Sequence, residues 1–410
     1  MDGAPTLDQL PGALLVLIFL LVPVDTRMRC AEVCRKWRAL LADTRLWTTL
    51  DLSRAARLNK WLTEALLSAA VRRADGQLVR LDIDDVDVQH LGTPALLCAL
   101  APSVASLREL HIHRKEDYFG LLNLSGENLR GLVGALPSLT RVECGGVTAQ
   151  AAVALPLLRA EPPFGALVLR GLRLTAVSSM TLESWHAVCS AVEACFSLEA
   201  LHLFGATLDL PVAAAVVDAA LTCRLKHVGL TYCAFSDESV SALARLLREG
   251  VLEVFGIHTP TPPHLPLGEL THALRANTTL RSLTLRRIGL WDDVRAGVAL
   301  LGALMEHPTP RNLDLSGNTV GDDADGRVAG DALAALVEAN SPALTHLEVT
   351  FSDLQDATLA SLIAALRFNT HLHRLNIHGN KPSPAFARNV LEPAKVDARK
   401  RAPQPLLLVT

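Results

Sequence analysis

The sequence predicts an α/β solenoid, with short parallel strands inside and helices outside, preceded by a small three-helix domain. Three observations predict it. From residue 78 onward a phrase, Leu-x-x-Leu-x-Leu, recurs with Val, Ile or Phe sometimes substituting. Its steps average about 29 residues, a repeat length typical of stacked strand–helix units. Between the phrases, apolar residues fall three and four apart, which is one face of a helix. Composition agrees: half the residues are hydrophobic but only 4% are aromatic. Leu, Ala and Val therefore build the core, as suits many similar short helices better than one irregular enzyme core.

Taken in order, Leu10-Pro11 opens the first helix, because Pro in a first turn gives up no hydrogen bond. Leu14, Leu17, Ile18 and Leu21 recur on one face with Phe19 beside it, and Pro23 ends the helix. Arg27 to Cys34 predicts a second helix, Lys36 to Leu41 a third, and Leu46-Trp47 closes the domain. Leu50-Asp51-Leu52 reads as a strand fragment and Lys60 to Val71 as its helix. No Gly/Ser-rich or Pro-rich stretch separates them from the helices, so the junction is expected to be fixed. The central hydrophobic of the phrase then falls at Leu81, Leu110, Val142, Leu167, Leu201, Val228, Phe255, Leu283, Leu313, Leu347 and Leu375. Ser239 to Leu247 and Thr358 to Leu366 are representative helices. Strand side chains alternate, so the x positions face solvent on the inner surface. A single unit cannot bury its own apolar face, so neighbours must stack. The expected organisation is a helical domain over 8–48, a solenoid without internal break over 49–393, and a disordered basic tail over 394–410. Longer interruptions fall at His113 to Asn128, Thr259 to Pro266 and Ser316 to Gly330, and are expected as solvated loops.

A net charge of −3 gives no basic field for nucleic acid. The eight cysteines show no regular pairing and no C-x-x-C zinc spacing, so buried thiols in a reducing compartment are expected. The apolar run Ala13 to Val22 lacks a basic flank and a small-residue cleavage site, and it is about half of a bilayer span. No membrane association is expected, and the chain is placed in the cytoplasm or nucleus. Asn123-Leu-Ser and Asn277-Thr-Thr are formal glycosylation triplets of the kind that arise by chance. There is no phosphate loop, G-x-S-x-G or H-E-x-x-H. The run Gly321 to Gly326 fails as a calcium loop, because Gly321 and Ala332 fall where carboxylates are needed. Many histidines sit on or beside strand phrases, His111 and His202 among them. No two occupy equivalent positions of adjacent repeats, so they are expected as polar side chains on a solvated sheet face. No cofactor and no metal are expected.

Two resemblances follow from these residues. The period, with Asp314-Leu-Ser-Gly-Asn318 and Asn376-Ile-His-Gly-Asn380, resembles the ribonuclease-inhibitor class of leucine-rich repeats, which implies a curved horseshoe. Most other repeats lack the turn asparagine. Leu10-Pro11, Val33-Cys34, Trp37 and Leu46-Trp47 resemble the F-box, which docks a substrate receptor on the adaptor of a cullin-based ubiquitin ligase. Here Gly12-Ala13 stands where that family usually carries acidic residues. The resemblance implies adaptor contacts at Leu10, Pro11, Leu14, Ile18, Phe19, Val33, Cys34 and Trp37. It implies a non-catalytic subunit of an SCF-type ligase, partnered by a Skp-type adaptor, a cullin scaffold and a protein substrate. Substrate is expected on the concave face at Arg281, Thr284, Arg286, Asp314, Glu348, Arg374 and Asn376. The alternatives are a helical cap on a leucine-rich-repeat scaffold with no ligase role, and a Ran GTPase activator, whose arginine and asparagine placement nothing here marks.

Overall fold

The structure, a computed structural model, describes residues 10–53, 62–113, 124–259, 265–400 and 406–410. It divides into two compact units, Met1–Arg173 and Leu174–Thr410.

The first unit begins with three helices, α1 (Gly12–Leu21), α2 (Val24–Val33) and α3 (Arg35–Leu40). Pro11 precedes α1, and its carbonyl accepts from the amides of Leu14 and Leu15. Pro23 sits between α1 and α2 in extended backbone and starts the second helix. Trp47 seals the base. It is wholly buried, its Nε1 donates to the Leu41 carbonyl at 2.8 Å, and the guanidiniums of Arg27 and Arg73 lie 5.6 and 4.8 Å from its ring centre. Arg27 also donates to the carbonyls of Val22 and Leu46, which ties the end of α1 to the closing turn. Arg73 belongs to the helix Glu64–Arg73, and the strand Thr49–Asp51 pairs in parallel with Arg80–Asp82. The helical domain and the first repeat therefore share one hydrophobic seam. Residues 54–61, which include the first two of the predicted helix Lys60 to Val71, lie outside the described set.

The sheet of this unit continues through parallel strands Arg80–Asp84, Glu109–His113, Arg141–Cys144 and Leu167–Leu169. Leu50, Leu81, Leu110, Val142 and Leu167 stand opposite one another across it. In the second unit Leu201, Val228, Phe255, Leu283, Leu313, Leu347, Leu375 and Leu408 form the matching row. Within each unit, every central position read from the sequence thus lies in register with its neighbours. Helices alternate with these strands, and polar caps start them. Asp209, Ser236, Asp293 and Asp323 each accept from the amide three residues on, a cap worth about 1 kcal/mol. Asp323 opens the helix Ala324–Glu338, so much of the third expected interruption is helix. Residues 114–123 and 260–264 of the other two lie outside the described set.

The expected disordered tail needs correction. Glu392–Arg399 is a helix, and Leu407–Val409 is a strand that pairs in parallel with Arg374–Asn376. Leu406 and Leu408 are buried, so the apolar end of the chain supplies one more rung. The thiols also differ in part: Cys144, Cys189, Cys195 and Cys233 are buried, whereas Cys98 is exposed. Burial pushes the Cys189 thiol up to about 12 and that of Cys233 to about 11, so both stay protonated. Among the described residues no helix is long and apolar enough to cross a membrane.

Two asparagine ladders hold the second unit's turns. Asn318 Nδ2 donates to the carbonyls of Leu285 and Leu315, and its Oδ1 accepts from the amides of Ile288 and Leu290. Asn380 repeats this pattern toward Val349, Ile377, Ser352 and Leu354. At the opposite strand ends Asn277 and Asn369 do the same work, donating to Leu247 and Val337 respectively. Asn277 is buried with both amide atoms engaged, so its triplet is closed to modification in the folded chain. Replacing Asn318 with Ala leaves buried backbone groups of two repeats unpaired. The expected cost is about 2–4 kcal/mol, a fall in melting temperature of roughly 5–10 °C for a unit of this size, measurable by calorimetry.

Candidate functional site

Helix α1 is apolar on every side, and packing decides which residues stay free. Leu15 and Phe19, four apart, turn inward and are 1% and 2% exposed. Leu14, Leu17, Ile18 and Leu21 have the i, i+3, i+4, i+7 spacing of one helix face, and remain 47, 58, 37 and 87% exposed. The ring of Phe19 meets that of Trp37 edge-on, with centres 5.4 Å apart. Cys34 caps α3 by accepting from the Trp37 amide at 3.4 Å, and Lys36 Nζ donates to the Leu10 carbonyl at 3.2 Å. Of the residues singled out from the sequence, Pro11, Leu14, Ile18 and Val33 are exposed, and Leu10, Cys34 and Trp37 are half-buried. Phe19 is a correction. It is the core on which the exposed face rests, because Trp37 fills the space beside it. Leu17 and Leu21 take its place on the surface, and their signal was the apolar surplus of the helix.

On the second unit's sheet, Thr284, Asp314, Glu348 and Asn376 stand in one register row. Arg374 falls in another, with Ser282, Asn312 and His346, while Arg286 pairs with His258. Arg281 precedes its strand and faces Glu253 at 3.4 Å. Several of these residues are internally paired: Arg286 reaches Asp314 at 3.4 Å and Arg374 reaches Glu348 at 3.5 Å. Thr284 is a second correction. It is 7% exposed, a short side chain on closely spaced rungs. Arg281 instead helps line a groove of about 1120 Å³ with Arg224, Lys226, Arg311 and His373 at the strand entries.

Three histidines of this unit are held below the usual value of 6.5. Burial is the main cause for each. Arg286 and Arg287 add to it at His258, and His373 and Arg374 at His346, with Asp314 and Glu348 opposing. The folded state thus favours neutral rings. Their stabilising contribution is complete above 6.5 and is lost as pH falls through it toward the depressed folded values. The melting temperature of the chain is expected to drop between about pH 7 and about pH 5, and changing His258, His307 and His346 together to Gln should flatten that drop.

The family model described as F-box-like matches residues 7–53. Human F-box/LRR-repeat protein 12 is 25% identical over 313 residues, which covers 71% of this chain and 91% of its own length. An F-box-like domain thus stands ahead of leucine-rich repeats in this chain. Among solved structures, the yeast Rad7 and Elc1 complex matches at a TM-score of 0.45 and 15% identity, over 99% of this chain and 98% of that one. The leucine-rich repeat-containing protein LegL7 of Legionella pneumophila matches at 0.36 and 14%, over 78% and 90%.

Beyond the F-box, the repeats carry a feature that sequence reasoning missed. In the second unit one backbone position recurs two residues after the phrase, and at Gly205, Tyr232, Arg287, Gly317 and Phe351 its N–H donates to the next repeat. Gly205, Gly317 and Gly379 occupy it with φ of 74, 75 and 71°. Tyr232, Arg287 and Phe351 occupy it at 55, 53 and 51°, where a non-glycine residue costs about 1–3 kcal/mol. Tyr232 meets Phe204 edge-on and His258 at a tilt, with ring centres 5.2 and 4.8 Å apart, and stays partly exposed. Phe351 lies over Gly379, where an added Cβ would fall 2.4 Å from the ring. The signal was a fixed offset from most of the second unit's phrases, occupied by Gly or by a large side chain.

Proposed function

We propose that the chain is the substrate-recognition subunit of an SCF-type ubiquitin ligase. The F-box docks on a Skp-type adaptor and through it on a cullin, and the repeats hold a protein substrate. The observation that carries this reading is the exposed apolar face of α1 above the buried Phe19, which meets Trp37 edge-on. A face that leaves Leu17 and Leu21 this open is costly to a free monomer and is stabilised by a partner. Ubiquitin transfer happens elsewhere in such an assembly. This chain supplies proximity, raising the effective concentration of a substrate lysine at the transfer site. The polar sheet face with Asp314, Glu348, Arg374 and Asn376, edged by Arg281 and Arg286, is the surface we assign to substrate. Such a receptor works in the cytoplasm or nucleus, where cullin assemblies meet their substrates.

Affinity purification of the full chain tests the reading. Adaptor and cullin are expected to co-purify in equal amounts with it. Recovery of the repeat protein with neither would leave a leucine-rich-repeat scaffold without a ligase role.

A further inference from the structure

The first unit's sheet places unlike ligands side by side. Strands Arg80–Asp84, Glu109–His113 and Arg141–Cys144 are parallel neighbours, and their register puts Asp82, His111 and Glu143 in one row. His113 lies two residues past His111, on the same face of the same strand. His111 is 5% exposed, and its Nε2 is buried without a hydrogen-bond partner. Carboxylates surround the ring at intermediate distance. Asp82 Oδ1 and Glu143 Oε2 each stand 3.6 Å from Nδ1, and Glu109 Oε2 stands 3.4 Å from Nε2.

These gaps are too long for N–H···O bonds, which close near 2.9 Å. They fit a different geometry. Two ligands bound about 2.0–2.1 Å from one tetrahedral ion lie roughly 3.3–3.4 Å apart. Ligand atoms of Asp82, His111 and His113 all fall within 4.8 Å of one another. We propose that Asp82, His111 and His113 bind a divalent transition-metal ion of the zinc class, with Glu143 in reach of the fourth position.

The chemistry of the surroundings is consistent with this. Nδ1 of His111 faces Asp82 and Glu143, so it is the coordinating atom. The ring proton then belongs on Nε2, which faces Glu109, the outward carboxylate that orients many metal-bound imidazoles. Arg80 Nε donates to both Asp82 oxygens, at 3.1 and 3.2 Å, and Nη2 to Oδ2 at 3.1 Å, so an ion on Oδ1 shares that oxygen with Nε while Oδ2 keeps both nitrogens. Paired imidazoles favour zinc over calcium or magnesium, which take oxygen ligands. His113 is exposed and closes the site by a side-chain rotation.

The test uses the full chain, stripped with a chelator and titrated with cobalt(II). One equivalent is expected to give visible tetrahedral absorption that added zinc bleaches. His113→Ala should weaken zinc binding at least about tenfold and remove the band, with the metal-free melting temperature unchanged because the side chain is exposed. Asp82→Asn should also remove it. If wild type gives no band and no zinc binding at micromolar concentration, the proposal is overturned. A band that survives both substitutions overturns it equally.

Discussion

Replacing Leu14 and Ile18 together with Asp is expected to abolish capture of a Skp-type adaptor while leaving the chain folded. Both side chains are already exposed, so the free protein loses little. In the complex each contributes about 1.5–3 kcal/mol of apolar burial, and a desolvated carboxylate in its place adds to the loss. The sum is a fall in affinity of more than about a hundredfold, readable by titration calorimetry. Phe19→Ala is the contrasting variant. Phe19 is packed under Trp37, so its truncation should cost about 3–5 kcal/mol of stability and lose adaptor binding through unfolding of the helices. Adaptor binding that survives both Asp substitutions would mean that α1 is a cap and not a docking face.

Leu283→Asp is expected to have the largest effect on stability. Leu283 is 1% exposed and stands in register between Phe255 and Leu313. A carboxylate there has no partner within the stack, and each repeat relies on its neighbours for its buried surface. A loss of more than about 4 kcal/mol places the change among the most damaging single substitutions. Hydrogen exchange should show lost protection in the repeats on both sides of residue 283. Damage confined to the single strand Ser282–Arg286 would refute the stacked packing.

How much of this was legible in the sequence depends on the kind of residue. The central phrase positions were legible because burial repeats with the period, and their register follows from it. The last strand was missed although Leu408 follows Leu375 at about one repeat length, because a basic stretch in front of it resembles a frayed end. In α1 the inward and outward sides could not be told apart. When every position is apolar, only the tertiary partner decides, and Trp37 chose Phe19. On the sheet faces, alternation gives the side on which a residue lies but not what its neighbour across the rung will be. Pairing of Arg286 with Asp314, and the meeting of Asp82, His111 and Glu143, depend on comparing unlike residues at one register position. Looking for histidines alone at matched positions passes over them.

The occupancy of the left-handed position also constrains how this chain can change over generations. Gly379 cannot accept a side chain while Phe351 lies on it, since a rigid ring stands where the Cβ would go. Gly317 meets only the flexible arm of Arg287, which can swing aside. Drift at the first pair must therefore follow an order, with the aromatic replaced first and the glycine second. The reverse order passes through a variant that both clashes and keeps the backbone strain at Phe351. Among diverged copies of this chain, the two positions of that pair should be inherited as a unit, whereas Arg287 and Gly317 vary independently.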